Sequence, residues 1–167
     1  MTGYSTAVRK LVERFSDASP IVEEYHGACF VTVARHKARD VLLFLRNDPD
    51  CSFDMLTDQF GVDHVGEKPR FEIIYLLNSL ARKERLTVKV RLNEGEALPT
   101  ACDIWKSADW FEREIFDMFG VRFDNHPDLR RILLDDDFEG HPLRKDFPTE
   151  GYGFDQPFVV RLEGENE

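Results

Sequence analysis

Cysteine is scarce in this chain, with Cys29, Cys51 and Cys102 alone among 167 residues, separated by 22 and 51 positions. An odd number at such spacing supplies no disulfide framework. It also lacks the close Cys-x-x-Cys pairing of an iron–sulfur site, which ordinarily takes four thiolates. The three thiols are expected to be reduced and to act as buried small hydrophobes. Long apolar runs are missing too. The longest are five residues, such as Val41 to Leu45, against about 20 needed to cross a bilayer, so any membrane role is expected to run through partners. No Gly-x-Gly-x-x-Gly follows a strand pattern and no Walker A string occurs, so neither a nicotinamide nor a nucleotide site is signalled. No charged segment followed by an apolar stretch opens the chain, so no targeting segment is expected and the chain is assigned to a cytoplasm. Basic charge is in short supply. The chain has 22 Lys and Arg against 32 Asp and Glu, a net charge of −10, and residues 101–167 carry −9 of it. A surface of that sign repels nucleic acid and anionic lipid, which removes nucleic acid from the expected partners.

What is present is 42% apolar and 32% charged sequence, the composition of one globular domain. Tyr4 to Phe15 repeats apolar residues at three and four, predicting a helix that Ser16 to Pro20 ends. Ile21 to Tyr25 and Ala28 to Ala34 read as a hairpin across His26-Gly27. A second helix is expected from His36 to Arg46, stopped at Asn47-Asp48-Pro49, because the residue before proline is driven out of the helical region. Phe53 to Asp58 reads as a strand, Gln59 to Pro69 as a loop, and Arg70 to Leu80 as a central strand covered on both faces. Leu86 to Leu92 alternates, with Leu86, Val88, Val90 and Leu92 on one side and Thr87, Lys89 and Arg91 on the other, so it has one wet face and pairs antiparallel with its predecessor. The fold class expected is α+β, a mainly antiparallel sheet covered by helices on one face, with an extended irregular C-terminal segment. Residues 1–108 form the α+β part; 109–167 hold a short helix and the extended segment, within one structural unit.

That helix, Asp109 to Gly120, opens with an Asp-x-x-Glu pattern that predicts a capping box of Asp109 and Glu112, and ends on glycine. On a helical wheel Glu112 falls between Phe119 and Phe116, inside the apolar arc. A carboxylate there needs a cation or hydrogen-bond donors, and Arg130 and Arg131 are the nearby candidates; otherwise it lies half solvated at the edge of the arc. Arg113 and Asp117, four apart, read as an ordinary helical pair.

The string Glu112-Arg113-Glu114, Asp117 with two apolar residues after it, then His126, Arg130 and Ile132-Leu133 resembles the signature of the C subunit (30-kDa-type) family of respiratory complex I, the proton-translocating NADH:quinone oxidoreductase. Phe138 to Pro148, F-E-G-H-P-L-R-K-D-F-P, is similar to that family's second hallmark. The resemblance implies a hydrophilic, non-catalytic subunit of the peripheral arm, docked on the quinone-site (D) subunit near the subunit with the terminal iron–sulfur cluster, on the cytoplasmic side of a bacterial plasma membrane. It implies a hetero-oligomer in which this chain holds no cofactor, while FMN, iron–sulfur clusters and quinone sit in partner subunits. Glu112, Arg113, Glu114, Asp117, His126, Arg130, Arg131, His141, Arg144 and Lys145 are the implied interface or structural residues. Related subunits also occur in membrane-bound [NiFe] hydrogenases.

Bland readings stand beside these. His126 and His141 each precede proline, and there a histidine more often hydrogen-bonds a neighbouring carbonyl than titrates. Arg144-Lys145 beside Asp146 makes either a solvated ion pair or an arginine fork for a partner carboxylate. Asp135, Asp136, Asp137 and Glu139 with His126 or His141 present the oxygen-rich chemistry of a Mg²⁺ or Ca²⁺ site, as in a stand-alone hydrolase, but in no EF-hand order; a solvated acidic turn is the simpler reading. Residues 125–158, with Pro127, Pro142, Pro148 and Pro157 and isolated apolar residues, are expected to act as a docking strap.

Overall fold

In the computed structural model, which describes residues 5–152, the apolar patterns become three helices and seven strands among the described residues. In chain order these are α1 (Thr6–Arg14), β1 (Ile21–Tyr25), β2 (Ala28–Val33), α2 (Ala38–Asn47), β3 (Met55–Asp63), β4 (Phe71–Ser79), β5 (Glu84–Leu92), β6 (Ala97–Pro99), α3 (Ala108–Phe119) and β7 (Arg122–Asp124). Ser5 caps α1 by accepting the Val8 amide at 3.4 Å. The chain leaves α2 where expected, with Asp48 extended ahead of Pro49.

Alternation decides the layers. Phe71, Ile73, Tyr75 and Leu77 of β4 and Leu86, Val88, Val90 and Leu92 of β5 are buried, every second residue in each strand. They join Val31 and Val33 of β2 and the apolar stripes of α1, α2 and α3 in one core. The three helices therefore cover one face of a five-stranded sheet of order β1-β2-β5-β4-β3. All its pairings are antiparallel except β2 with β5, which run parallel.

The structure departs from the sequence reading in three places. Strand β3 runs on to Asp63, through residues read as loop. It is an edge strand that pairs with β4 along its length with one irregularity between Leu56 and Asp58, leaving Asp58 half-buried and burying Gln59 against the helices without a hydrogen-bond partner for its side chain. Gly61 sits under the Phe119 ring, where a Cβ would lie 2.9 Å from the nearest ring carbon, so this glycine lets α3 close on β3. Strand β4 is covered on one face only, Ile74 and Leu76 being half-buried on the other. Finally, β6 and β7 pair parallel, extended by the Thr100 amide on the Asp124 carbonyl at 2.9 Å. These three-residue strands are too short for periodicity to show, yet they set Thr100, Ala101 and Cys102 beside α3. The expected strap is described as far as Tyr152; Phe154, Pro157 and Phe158 lie outside the described residues.

Candidate functional site

The hallmark residues gather around α3. No side chain caps its first amides, and the expected capping box is not formed: Ser107 donates its hydroxyl to the Leu56 carbonyl (3.2 Å), while Glu112 turns into the core. Its partners are not Arg130 and Arg131. The Thr100 hydroxyl donates to one carboxylate oxygen at 2.5 Å, the Ala101 amide to the other at 2.7 Å, and the Cys102 thiol approaches at 3.5 Å. Burial raises the Glu112 carboxyl above its ordinary value, and the Thr100 and Ala101 donors and His126 offset that only in part. Burial also pushes the Cys102 thiol up to about 12.

His126 completes this cluster, with Nε2 4.0 Å from Glu112. Its Nδ1 accepts the Asp128 amide at 3.0 Å, so the proton sits on Nε2, 3.3 Å from the Asp109 carbonyl. Cys102, Glu112 and His126 bring one ligand-type atom each within 4.8 Å of one another. A metal there would have to displace the Thr100 hydroxyl and take a proton from a thiol that holds it tightly. The arrangement is a hydrogen-bonded polar cluster joining the β6–α3 connection to α3 and the start of the strap. The acidic turn stands elsewhere: Asp135, Asp136, Asp137 and Glu139 are exposed, and the rings of His126 and His141 are committed to backbone carbonyls.

One turn further along, Asp117 is fully buried and holds the strap. One oxygen accepts the amides of Ile132, Leu133 and Leu134 at 3.0, 2.8 and 3.0 Å, and the other accepts Arg131 Nη1 at 2.7 Å. Burial alone would push this carboxyl up, but the Leu133 amide, Arg131 and the other two amides outweigh it and hold it below its ordinary value. Arg131 also donates to the carbonyls of Phe138 and Gly140, at 2.8 and 3.0 Å, and lies over the Phe138 ring. Arg113 is no partner of Asp117. It donates to the carbonyls of Arg130 and Arg131 and stacks on Trp110, 5.2 Å from the ring centre.

The second hallmark returns to the end of α3 and to the sheet. His141 Nδ1 lies 2.9 Å from the Asp117 carbonyl, and burial together with Arg144 and Arg131 lowers the ring's affinity for a second proton. Gly120 ends α3 at φ 72°, where a Cβ would fall 2.5 Å from His141 Nε2; both facts require glycine. Arg144 is no free fork: it donates to the Phe119 carbonyl and to Glu94. The Lys145 amide binds Asp63 at 2.8 Å, while its side chain is exposed. Asp63 in turn is paired with Arg70, which also reaches Glu94 and Asp146. This network was missed in the sequence, although an acid and a base flanking the β3–β4 turn were the available signal. Among the implied residues Glu114, Arg130 and Lys145 keep their side chains outside; Glu114 and Lys145 are exposed, and Arg130, 68% exposed in its side chain, pairs with Asp128.

Residues 31–153, from β2 through most of the strap, match the family model described as the respiratory-chain NADH dehydrogenase 30 Kd subunit. The chain belongs to this family. The C subunits of several bacterial NADH-quinone oxidoreductases are similar along almost their whole length. That of Citrifermentans bemidjiense is 46% identical over 90% of this chain and 93% of its own. That of Trichlorobacter lovleyi is 44% identical over 97% and 99%. Among solved structures, a chain of the membrane-bound sulfane sulfur reductase, an archaeal respiratory membrane complex, superposes with a TM-score of 0.70 at 24% identity, over 85% of this chain and 84% of that one, which establishes a shared fold. No helix among the described residues is long and apolar enough to cross a membrane.

Proposed function

We propose that this chain is a hydrophilic subunit of the peripheral arm of the proton-translocating NADH:quinone oxidoreductase, and that it supplies packing and positioning rather than redox chemistry. The observation that carries the reading is how the hallmark residues are spent. Glu112, Arg113, Asp117, Arg131, His141 and Arg144 are each hydrogen-bonded within the chain, and together they fix the strap to α3 and the sheet. A redox subunit needs ligands, and the thiols are unsuited: burial pushes Cys51 and Cys102 to about 12, so both are protonated near neutral pH. FMN, iron–sulfur clusters and quinone then belong to companion subunits. In this reading the chain docks on the quinone-site (D) subunit beside the subunit of the terminal cluster, and meets the cytoplasmic side of a bacterial membrane only through them. The 43–46% identical relatives favour this over a [NiFe] hydrogenase counterpart.

The purified chain tests the non-catalytic role. It should be colourless, free of stoichiometric iron and flavin, and unable to oxidise NADH. Visible absorbance with one or more irons per chain, or NADH oxidation by the chain alone, overturns it.

A further inference from the structure

The clamp on Asp117 has an outer side. Trp110 and Asp117 are seven residues apart and so share one face of α3, about 10 Å apart along the axis. Arg113 and Glu114 lie between them on that face. Leu133 is one of the three residues whose amides Asp117 holds, and the amide of Leu143 is held by the Met118 carbonyl at 3.1 Å. Three large apolar side chains are thereby fixed facing outward along one helix: Trp110 is 60% exposed, Leu133 63% and Leu143 50%. Large apolar side chains held exposed beside one helix are the kind of surface that marks an interaction site.

The free charges along α3 and the strap are predominantly acidic. Arg113, Arg131 and Arg144 point their guanidinium groups at backbone carbonyls and internal carboxylates. Arg130 is paired with Asp128, and the cations turned outward on the segments flanking α3 and on the second hallmark are Lys106, Arg122 and Lys145. Glu114, Asp135, Asp136, Asp137 and Glu139 are exposed and have no ion-pair partner among the described residues. A signature rich in arginine thus displays a tryptophan and two leucines rimmed by carboxylates. Because its backbone is already hydrogen-bonded, little ordering remains to oppose binding.

We infer that the Trp110–Leu133–Leu143 face is the anchor by which the chain docks in its complex, and that the partner surface is an apolar pocket rimmed by lysine or arginine. The inference rests on the proposed membership of the oxidoreductase. Hot-spot anchors are typically Trp and Arg at the centre of a patch, while rim charges set encounter rate and register.

The test replaces the chromosomal copy by tagged full-length chain and measures the companion subunits retained per tagged chain over a salt series. Trp110→Ala and Leu133→Ser, both at exposed positions, should each lower retention at least tenfold with the melting temperature of the purified chain unchanged. Replacing Asp135, Asp136 and Asp137 by lysine should lower retention most at low salt. Tyr25→Ser, an exposed aromatic on the opposite sheet edge, should leave retention unchanged. Wild-type retention in the Trp110 and Leu133 variants, or loss only in Tyr25→Ser, overturns the assignment of this face. A wild-type chain that brings down no companion subunit overturns the functional reading, and this inference with it.

Discussion

Replacing Asp117 by asparagine keeps the shape of the clamp and removes its charge. The amide oxygen can still accept the Ile132, Leu133 and Leu134 amides, but its NH₂ then meets Arg131, donor against donor, where the carboxylate stood at 2.7 Å. Removing one partner of a buried pair costs about 3 to 5 kcal/mol. Arg131 keeps the Phe138 and Gly140 carbonyls, which favours the lower end, about 3 kcal/mol. Because each 1.4 kcal/mol is a factor of ten, the strap should open roughly a hundredfold more often. Hydrogen exchange at the amides of residues 132–134 reads this directly, and trypsin cleavage after Arg130 and Arg131 reads it independently when opening is fast relative to cutting. Asp117→Ala leaves three amides unpaired as well, at about 1 to 3 kcal/mol each, and should release the strap outright. The sign of the pH effect follows from a carboxyl held below its ordinary 3.8: the clamp contributes fully above that value and weakens as pH falls below it. Exchange at residues 132–134 within threefold of wild type in Asp117→Asn would refute the clamp.

Other substitutions probe the neighbouring contacts. Glu112 has the opposite sign, a raised pKa, so its protonated form stabilises below the ordinary 4.5 and that contribution is lost as pH rises through the folded value. Glu112→Gln should therefore gain on wild type in urea unfolding as pH rises above that ordinary value, and a constant difference would contradict this. Gly61→Ala drives a methyl into the Phe119 ring and should cost about 1 to 3 kcal/mol in the same assay. Arg70→Met strands the buried Asp63 carboxylate and should cost about 3 kcal/mol, lowering the melting temperature; an unchanged value would show that the network of Asp63, Glu94 and Asp146 is idle.

The parts of this fold that were legible in the sequence are those written in side-chain periodicity. The alternation of Leu86 to Leu92 and the proline stop after α2 became strand and helix end as read. The position of Glu112 inside the apolar arc was also legible, because a helical wheel needs only spacing. Its partners were not, since they come from Thr100 and the Ala101 amide in a segment without periodicity, set in place by strands of three residues. Asp117 was misread for a related reason. Its main partners are backbone amides, which every residue but proline carries and no letter of the sequence marks. Arginine at 113 and 144 suggested partners with charge, whereas the structure turns Arg113 toward carbonyls alone and divides Arg144 between the Phe119 carbonyl and Glu94. That inward turn makes the hallmark a device for holding the strap.

A non-redox role within an NADH:quinone oxidoreductase is tested most directly by the mass and cofactor content of the native assembly isolated through a tag on this chain. A large complex with flavin, iron–sulfur clusters and NADH:quinone reductase activity is the expected result. A nickel-containing assembly without flavin, or a chain that isolates alone and carries activity, would contradict it.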